Sequence, residues 1–216
     1  GLETAGLMPM PADSTTNPHR WLDASRIDPS TRSTLREQWQ IGEGDRVAAL
    51  LADSTSAMDA AKALVAVGLA AETGRPWRLL LHPDAAGVER AVRIATAMGR
   101  AERLIFDDRV LEPWSILPGC DAAVVVAQPC QIALTWAMTA RTPIVAERCE
   151  MVDRYLEHEQ TALLGEPGLM RKLSWGLCRL HDEPALVEQL TTSAVESLSP
   201  PSRGEGLGEG AHELQQ

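Results

Sequence analysis

The sequence lacks the patterns that would place it in a membrane, on nucleic acid or around a metal. No apolar run approaches the roughly 20 residues that cross a bilayer. The first residues lack the charged and apolar pattern of a secretion signal, so a soluble, cytoplasmic protein is expected. The 216 residues carry a formal net charge of −10. That deficit of Lys and Arg argues against sequence-independent binding to nucleic acid or anionic lipid, since both depend on excess positive charge. The four cysteines, Cys120, Cys130, Cys149 and Cys178, have no zinc-site spacing. They are expected to be small core thiols. No Asp-x-Asp pair stands at a strand end. Neither a metal nor a cofactor is therefore expected. There is no GxGxxG or Walker motif and no repeat of 20–50 residues. Aromatics make up only 4% against 44% hydrophobic residues, so Leu, Val and Ala must fill the core.

What is present centres on residues 119–150, GCDAAVVVAQPCQIALTWAMTARTPIVAERCE. Residues 122–127 form an unbroken Val-rich apolar run, the mark of a strand buried on both faces. Residues 128–131 break it with a proline, and 132–139 can form a short helix. Thr142 precedes Pro143 and is pushed out of helical geometry. Ile144, Val145 and Ala146 then begin a second buried strand. A β-α-β unit of this kind sets its first turn at the carboxyl edge of a parallel sheet, where open α/β sheets bind ligands.

The rest of the chain alternates in the same way. Residues 1–29 read as an extended lead-in with a short edge strand at 7–10, and 30–39 as a helix capped by Ser30 or Thr31. Apolar runs at 46–52, 77–82 and 102–106 predict three strands. Residues 57–73 and 88–98 predict the helices between them, and 111–117 a short helix or turn. Beyond residue 150 come a helical turn at 151–155 and a short strand ending at 164. Two helices follow at 168–180 and 183–196, with Leu169, Leu173 and Leu177 on the inward face of the first. The Gly-, Pro- and Glu-rich residues 199–216 cannot bury enough apolar area and are expected to be disordered. The expected organisation is one Rossmann-like domain over 30–198, a mainly parallel sheet with helices on both faces.

Six segments in order resemble the C-terminal, donor-binding domain of the GT-B-fold retaining glycosyltransferases, the group 1 family. They are LREQWQIGEGDRVAALL, RLLLHPDAAGVERAVRIATAMGRAERLIF, GCDAAVVVAQP, TWAMTARTPIVAE, EMVDRYLEHEQTALL and PGLMRKLSWGLCRLHDEPALVEQLTTSAVE. The resemblance runs from about Pro9 to Glu196. It implies one half of a GT-B protein, a nucleotide sugar of the UDP or GDP type as ligand, and an N-terminal acceptor domain or partner chain. It also implies hexosyl transfer in the cleft between the two halves. A single half is then expected to be inactive alone.

The site residues depart from the family's pattern. The family holds the donor diphosphate with an Arg and a Lys after a Gly-rich turn, because charge builds on the leaving phosphate. Here residues 52–58 contain no Gly, Arg or Lys, and Asp53 would repel phosphate. Ser54 is the polar candidate in that turn. Lys62 is expected about two turns into the helix, facing away from a ligand at its mouth. The second strand ends at His82, a candidate phosphate donor or a structural hydrogen-bonding group. By register from Ala137 and Met138, the family's two Glu positions fall on Gln128 and Trp136. Gln128 keeps hydrogen-bonding capacity without charge, whereas Trp136 cannot accept a hydrogen bond. Arg141 replaces a family Gly, and Glu150 stands where the family has a Glu, a position that also suits helix capping.

Arg141, Arg148, Arg109 and His82 are expected near the carboxyl edge, either as a replacement anion site or as scattered surface charge. No catalytic residue is assigned. Two readings stand: the donor half of a glycosyltransferase with an eroded site, or an inactive glycosyltransferase-like binding or scaffold module.

Overall fold

A computed structural model describes residues 23–126 and 130–198. The expected edge strand at 7–10, the tail at 199–216 and both Gln128 and Pro129 lie outside the described residues. Six parallel strands form one sheet: β1 (Arg46–Leu50), β2 (Trp77–Leu81), β3 (Leu104–Phe106), β4 (Ala122–Val125), β5 (Ile144–Glu147) and β6 (Leu163–Gly165). Their order is β3-β2-β1-β4-β5-β6. The apolar runs dictate the arrangement. Every residue from Val47 to Leu50 and from Ala122 to Val125 is fully buried, as a central strand covered on both faces requires. Burying each Val or Leu there contributes about 1.5–3 kcal/mol.

The helices are α1 (Arg32–Gln38), α2 (Ala60–Glu72), α3 (Val88–Ala97), α4 (Pro113–Ile116), α5 (Gln131–Thr139), α6 (Glu150–Tyr155), α7 (Met170–Asp182) and α8 (Pro184–Leu198). One layer packs α2 against α3 and α7, and the other packs α5 against α4 and α8. Right-handed crossovers running outward from β1 and from β4 set the two layers on opposite faces. The inward side of α2 is mostly alanine, with Ala60, Ala63, Ala66 and Ala70 fully buried. Small side chains let α7 approach closely. From α7, Gly176 meets the sheet so tightly that an added Cβ would stand 3.1 Å from Val145. No helix among the described residues is long and apolar enough to cross a membrane.

At the amino-terminal edge, Asp121 enters β4 with its side chain only 6% exposed. It accepts from Arg32 (2.7 Å), Arg36 (2.8 Å), Arg46 (3.2 Å) and the Val47 N–H (2.8 Å). Burial pushes its carboxyl up, but the Val47 N–H and the guanidinium groups outweigh that and hold it below the usual carboxylate range. Nearby, Gly119 lies beneath the Trp39 ring, where an added Cβ would stand 2.5 Å from a ring carbon. The Trp39 Nε1–H donates to Asp107 at 2.8 Å.

Two expectations are corrected. The helix expected from residue 57 begins at Ala60, because Thr55–Ala57 forms a 3-10 turn and the Asp59 carboxylate caps the helix through the Lys62 N–H (3.0 Å). Lys62 therefore lies in the first turn, not the second. Leu169 is not inward-facing. It precedes α7 at the N-cap and is 50% exposed, whereas Leu173 and Leu177 are buried.

Candidate functional site at the carboxyl edge of the sheet

The order of the sheet reverses between β1 and β4. The connections that leave these two strands diverge to opposite faces and open a crevice at their carboxyl ends, where ligands bind in such sheets. α5 starts at this crevice. Its N-cap, Cys130, offers no side-chain cap, and the first N–H groups of a helix need acceptors. Asp53, from the turn after β1, supplies them. One of its oxygens accepts from the Ala133 N–H at 2.9 Å and the other from the Ile132 N–H at 3.2 Å. A carboxylate is well matched to that position because aligned peptide dipoles leave positive charge at a helix start. The seat that an anionic ligand would take on α5 is filled by a side chain of the protein itself.

Beside it lies a cleft of about 520 Å³ lined by Lys62, Glu147, Arg148, Cys149, Glu150 and Gly168. Lys62, the cation expected to face away, reaches across to Glu147 at 3.3 Å. The second Glu147 oxygen accepts from the Gly168 N–H. Arg148 bonds Asp153 at 2.6 Å and lies 3.7 Å from Glu166. The two cations of the cleft are thus each matched by carboxylates.

The other sequence candidates scatter. Ser54 is in the turn with Asp53, its hydroxyl 3.1 Å from that of Ser56. His82 is buried at 8% exposure, and its Nδ1 accepts from the Asp84 N–H at 3.0 Å, closing the turn after β2. Glu150 opens α6 with a side chain 89% exposed and pairs with Arg154 at 3.0 Å. Arg109 binds both oxygens of Asp107 and donates to Gln38 at 2.8 Å. Arg141 is corrected outright: it lies in the turn between α5 and β5, hence at the amino-terminal edge, away from the crevice. Its φ of 54° is the left-handed conformation that favours the glycine it replaces. Trp136 does not line the cleft either. It is 4% exposed and packs on Trp114 of α4, with ring centroids 5.1 Å apart. Among the described residues, no group of three or more His, Cys, Asp or Glu could hold a metal ion.

The sequence reading missed two contacts, Asp53 on α5 and Lys62 on Glu147. Both join residues about 80 positions apart. The available signal was a lone carboxylate directly after a central strand, opposite a helix start with no capping side chain.

A six-stranded parallel sheet in this order, with its crevice between β1 and β4, defines a Rossmann-like domain of the kind that forms one half of a GT-B glycosyltransferase. Solved structures bear this out at the level of fold. HepE from Anabaena, in complex with UDP and glucose, is similar with a TM-score of 0.68 at 18% identity, over 82% of this chain and 50% of HepE. WaaG, a glycosyltransferase involved in lipopolysaccharide biosynthesis, gives 0.67 at 16% identity, over 84% of this chain and 49% of WaaG. The C-terminal domain of the group 1 glycosyltransferase LpcC from Francisella tularensis gives 0.65 at 13% identity, over 82% of this chain and 96% of that domain. The chain thus spans about half the length of HepE and WaaG and almost the whole of the LpcC domain. No family model and no curated protein matches the sequence.

Proposed function

We propose that this chain is a glycosyltransferase-like domain, the nucleotide-sugar half of a larger two-part protein, whose donor site has been taken over by its own side chains. The observation that carries the reading is the Asp53 carboxylate on the Ile132 and Ala133 N–H groups. A nucleotide diphosphate arriving at the crevice would have to displace it and would meet its charge. The separation of Lys62 and Arg148 into carboxylate pairs supports the same reading. So does the replacement of an acceptor by Trp136 in the core. The chain alone then transfers no sugar. It acts as a binding or scaffold module beside an N-terminal acceptor domain or a partner chain, in the cytoplasm.

A second reading, a weak but working donor site, is favoured by one observation. The 520 Å³ cleft sets Lys62 and Arg148 at the right edge of the sheet. HepE, which shares the fold, is seen with UDP and with UDP-glucose. Thermal denaturation with millimolar UDP, GDP, ADP and their sugar conjugates separates the two. The expected result is no change in Tm with any of them. A rise of several degrees with one nucleotide, lost in Lys62→Ala, would establish the second reading instead.

A further inference from the structure

We infer that Cys130 and Cys149 form a redox-responsive pair that latches the start of α5 to the turn after β5. Both cysteines are free thiols. Cys130 directly precedes α5 and is fully buried. Cys149 directly precedes α6, is partly exposed and lines the open cleft. β4 and β5 are hydrogen-bonded neighbours, with Val125 opposite Ala146, so the turns that follow them lie side by side. The two side chains meet there within hydrogen-bonding reach of each other. Burial, then the adjoining Cys149 and Asp53, pushes the Cys130 thiol up to about 12. The other two cysteines have no such neighbour among the described residues. The Cys120 thiol donates to the Ile116 carbonyl at 3.3 Å, and Cys178 lies 3.4 Å from the Thr73 hydroxyl.

The asymmetry assigns the roles. Cys149 is reachable from the cleft, and its sulfur is held by the Val152 N–H at 3.4 Å. Exposure and thiolate character decide which cysteine an oxidant attacks. A peroxide is the oxidant class. The Cys149 thiolate attacks one peroxide oxygen, the O–O bond breaks, and Cys149 becomes a sulfenic acid as the other oxygen leaves as water. Cys130 then attacks the Cys149 sulfur, the S–O bond breaks, and its proton leaves with the hydroxyl as a second water. Two thiols lose two electrons to one peroxide. The buried Cys130 cannot meet the oxidant itself, which fits the resolving role. The disulfide would tie the first residue before α5 to the first before α6. It would thereby fix the helix start that Asp53 caps, in a way a dithiol reverses.

The inference does not depend on the nucleotide-sugar reading. Its test is thiol chemistry on the whole chain. The reduced protein is treated with equimolar hydrogen peroxide, the remaining thiols are alkylated, and peptides are mapped without reduction. The expected product is a Cys130–Cys149 cross-link, with free thiols falling from the four of the reduced chain to two and returning to four with dithiothreitol. Cys120→Ser and Cys178→Ser should keep the cross-link, and Cys149→Ser should leave Cys130 unmodified. Peroxide that drives Cys149 to sulfinic acid without a cross-link would overturn the inference, as would a pairing that involves Cys120 or Cys178. The wild-type map decides the matter even if a variant fails to fold.

Discussion

The two edges of the sheet are built from the same residue types and put them to different use. At the amino-terminal edge three arginines converge on one buried carboxylate, Asp121, which also ties down the start of β1 through the Val47 N–H. At the carboxyl edge the charges are spread in partly exposed pairs around an open cleft, and one carboxylate, Asp53, sits on a helix start. The first arrangement serves stability, since a buried charge must be fully partnered. The second keeps the shape of a binding edge while filling its anion seat from within. In folds of this kind ligands gather at the carboxyl edge, so that is where function can be lost without loss of the fold.

The contrast can be broken in graded steps. Asp121→Ala should have the largest effect, because it leaves three guanidinium groups around an empty buried position. A loss of about 3 kcal/mol or more is expected, read as the denaturant midpoint. Asp121 also sets a pH dependence. Its folded-state carboxyl lies below the ordinary value of 3.8, so as pH falls the unfolded chain takes up the proton first. The stabilisation is therefore complete above about pH 4 and fades as pH falls through the folded-state value. Urea titrations of wild type and Asp121→Asn should converge on the acid side of pH 4 and differ most at neutral pH.

At the carboxyl edge, Asp53→Ala removes a helix cap but no core packing. It should cost about 1 kcal/mol and lower Tm by about 2–4 °C. A cost as large as that of Asp121→Ala would mean that both edges are equally structural. Arg141→Gly relieves a left-handed non-glycine residue and should stabilise by about 0.5–1 kcal/mol, measured by the same denaturation. Glu150→Ala, which breaks an exposed pair with Arg154, should change stability by less than about 0.5 kcal/mol. A larger loss would give Glu150 a structural role that its exposure does not suggest.

Much of the fold could be read in advance because each strand is a short, wholly apolar run. The Val-rich segment at 122–127 and the Leu-rich ones at 46–52 and 77–82 have no other stable place than the middle of a covered sheet. The alternation with helices then left few topologies. The site was less legible, for two reasons. The start of α2 is decided by which carboxylate caps it, Asp59, and this moved Lys62 to the crevice. The contact of Asp53 with α5 joins residues 80 positions apart, and no local pattern encodes it. Arg141 was legible and was misplaced: a residue just before a parallel strand belongs to the amino-terminal edge.

The central claim is that Asp53 already occupies the anion seat on α5. Amide spectra of the labelled chain read that seat directly, through the Ile132 and Ala133 N–H groups. The account predicts that both resonances follow the titration of Asp53 as pH is lowered and stay fixed when UDP, GDP or a nucleotide sugar is added at millimolar concentration. Saturable movement of these two amides with a nucleotide at neutral pH would contradict it.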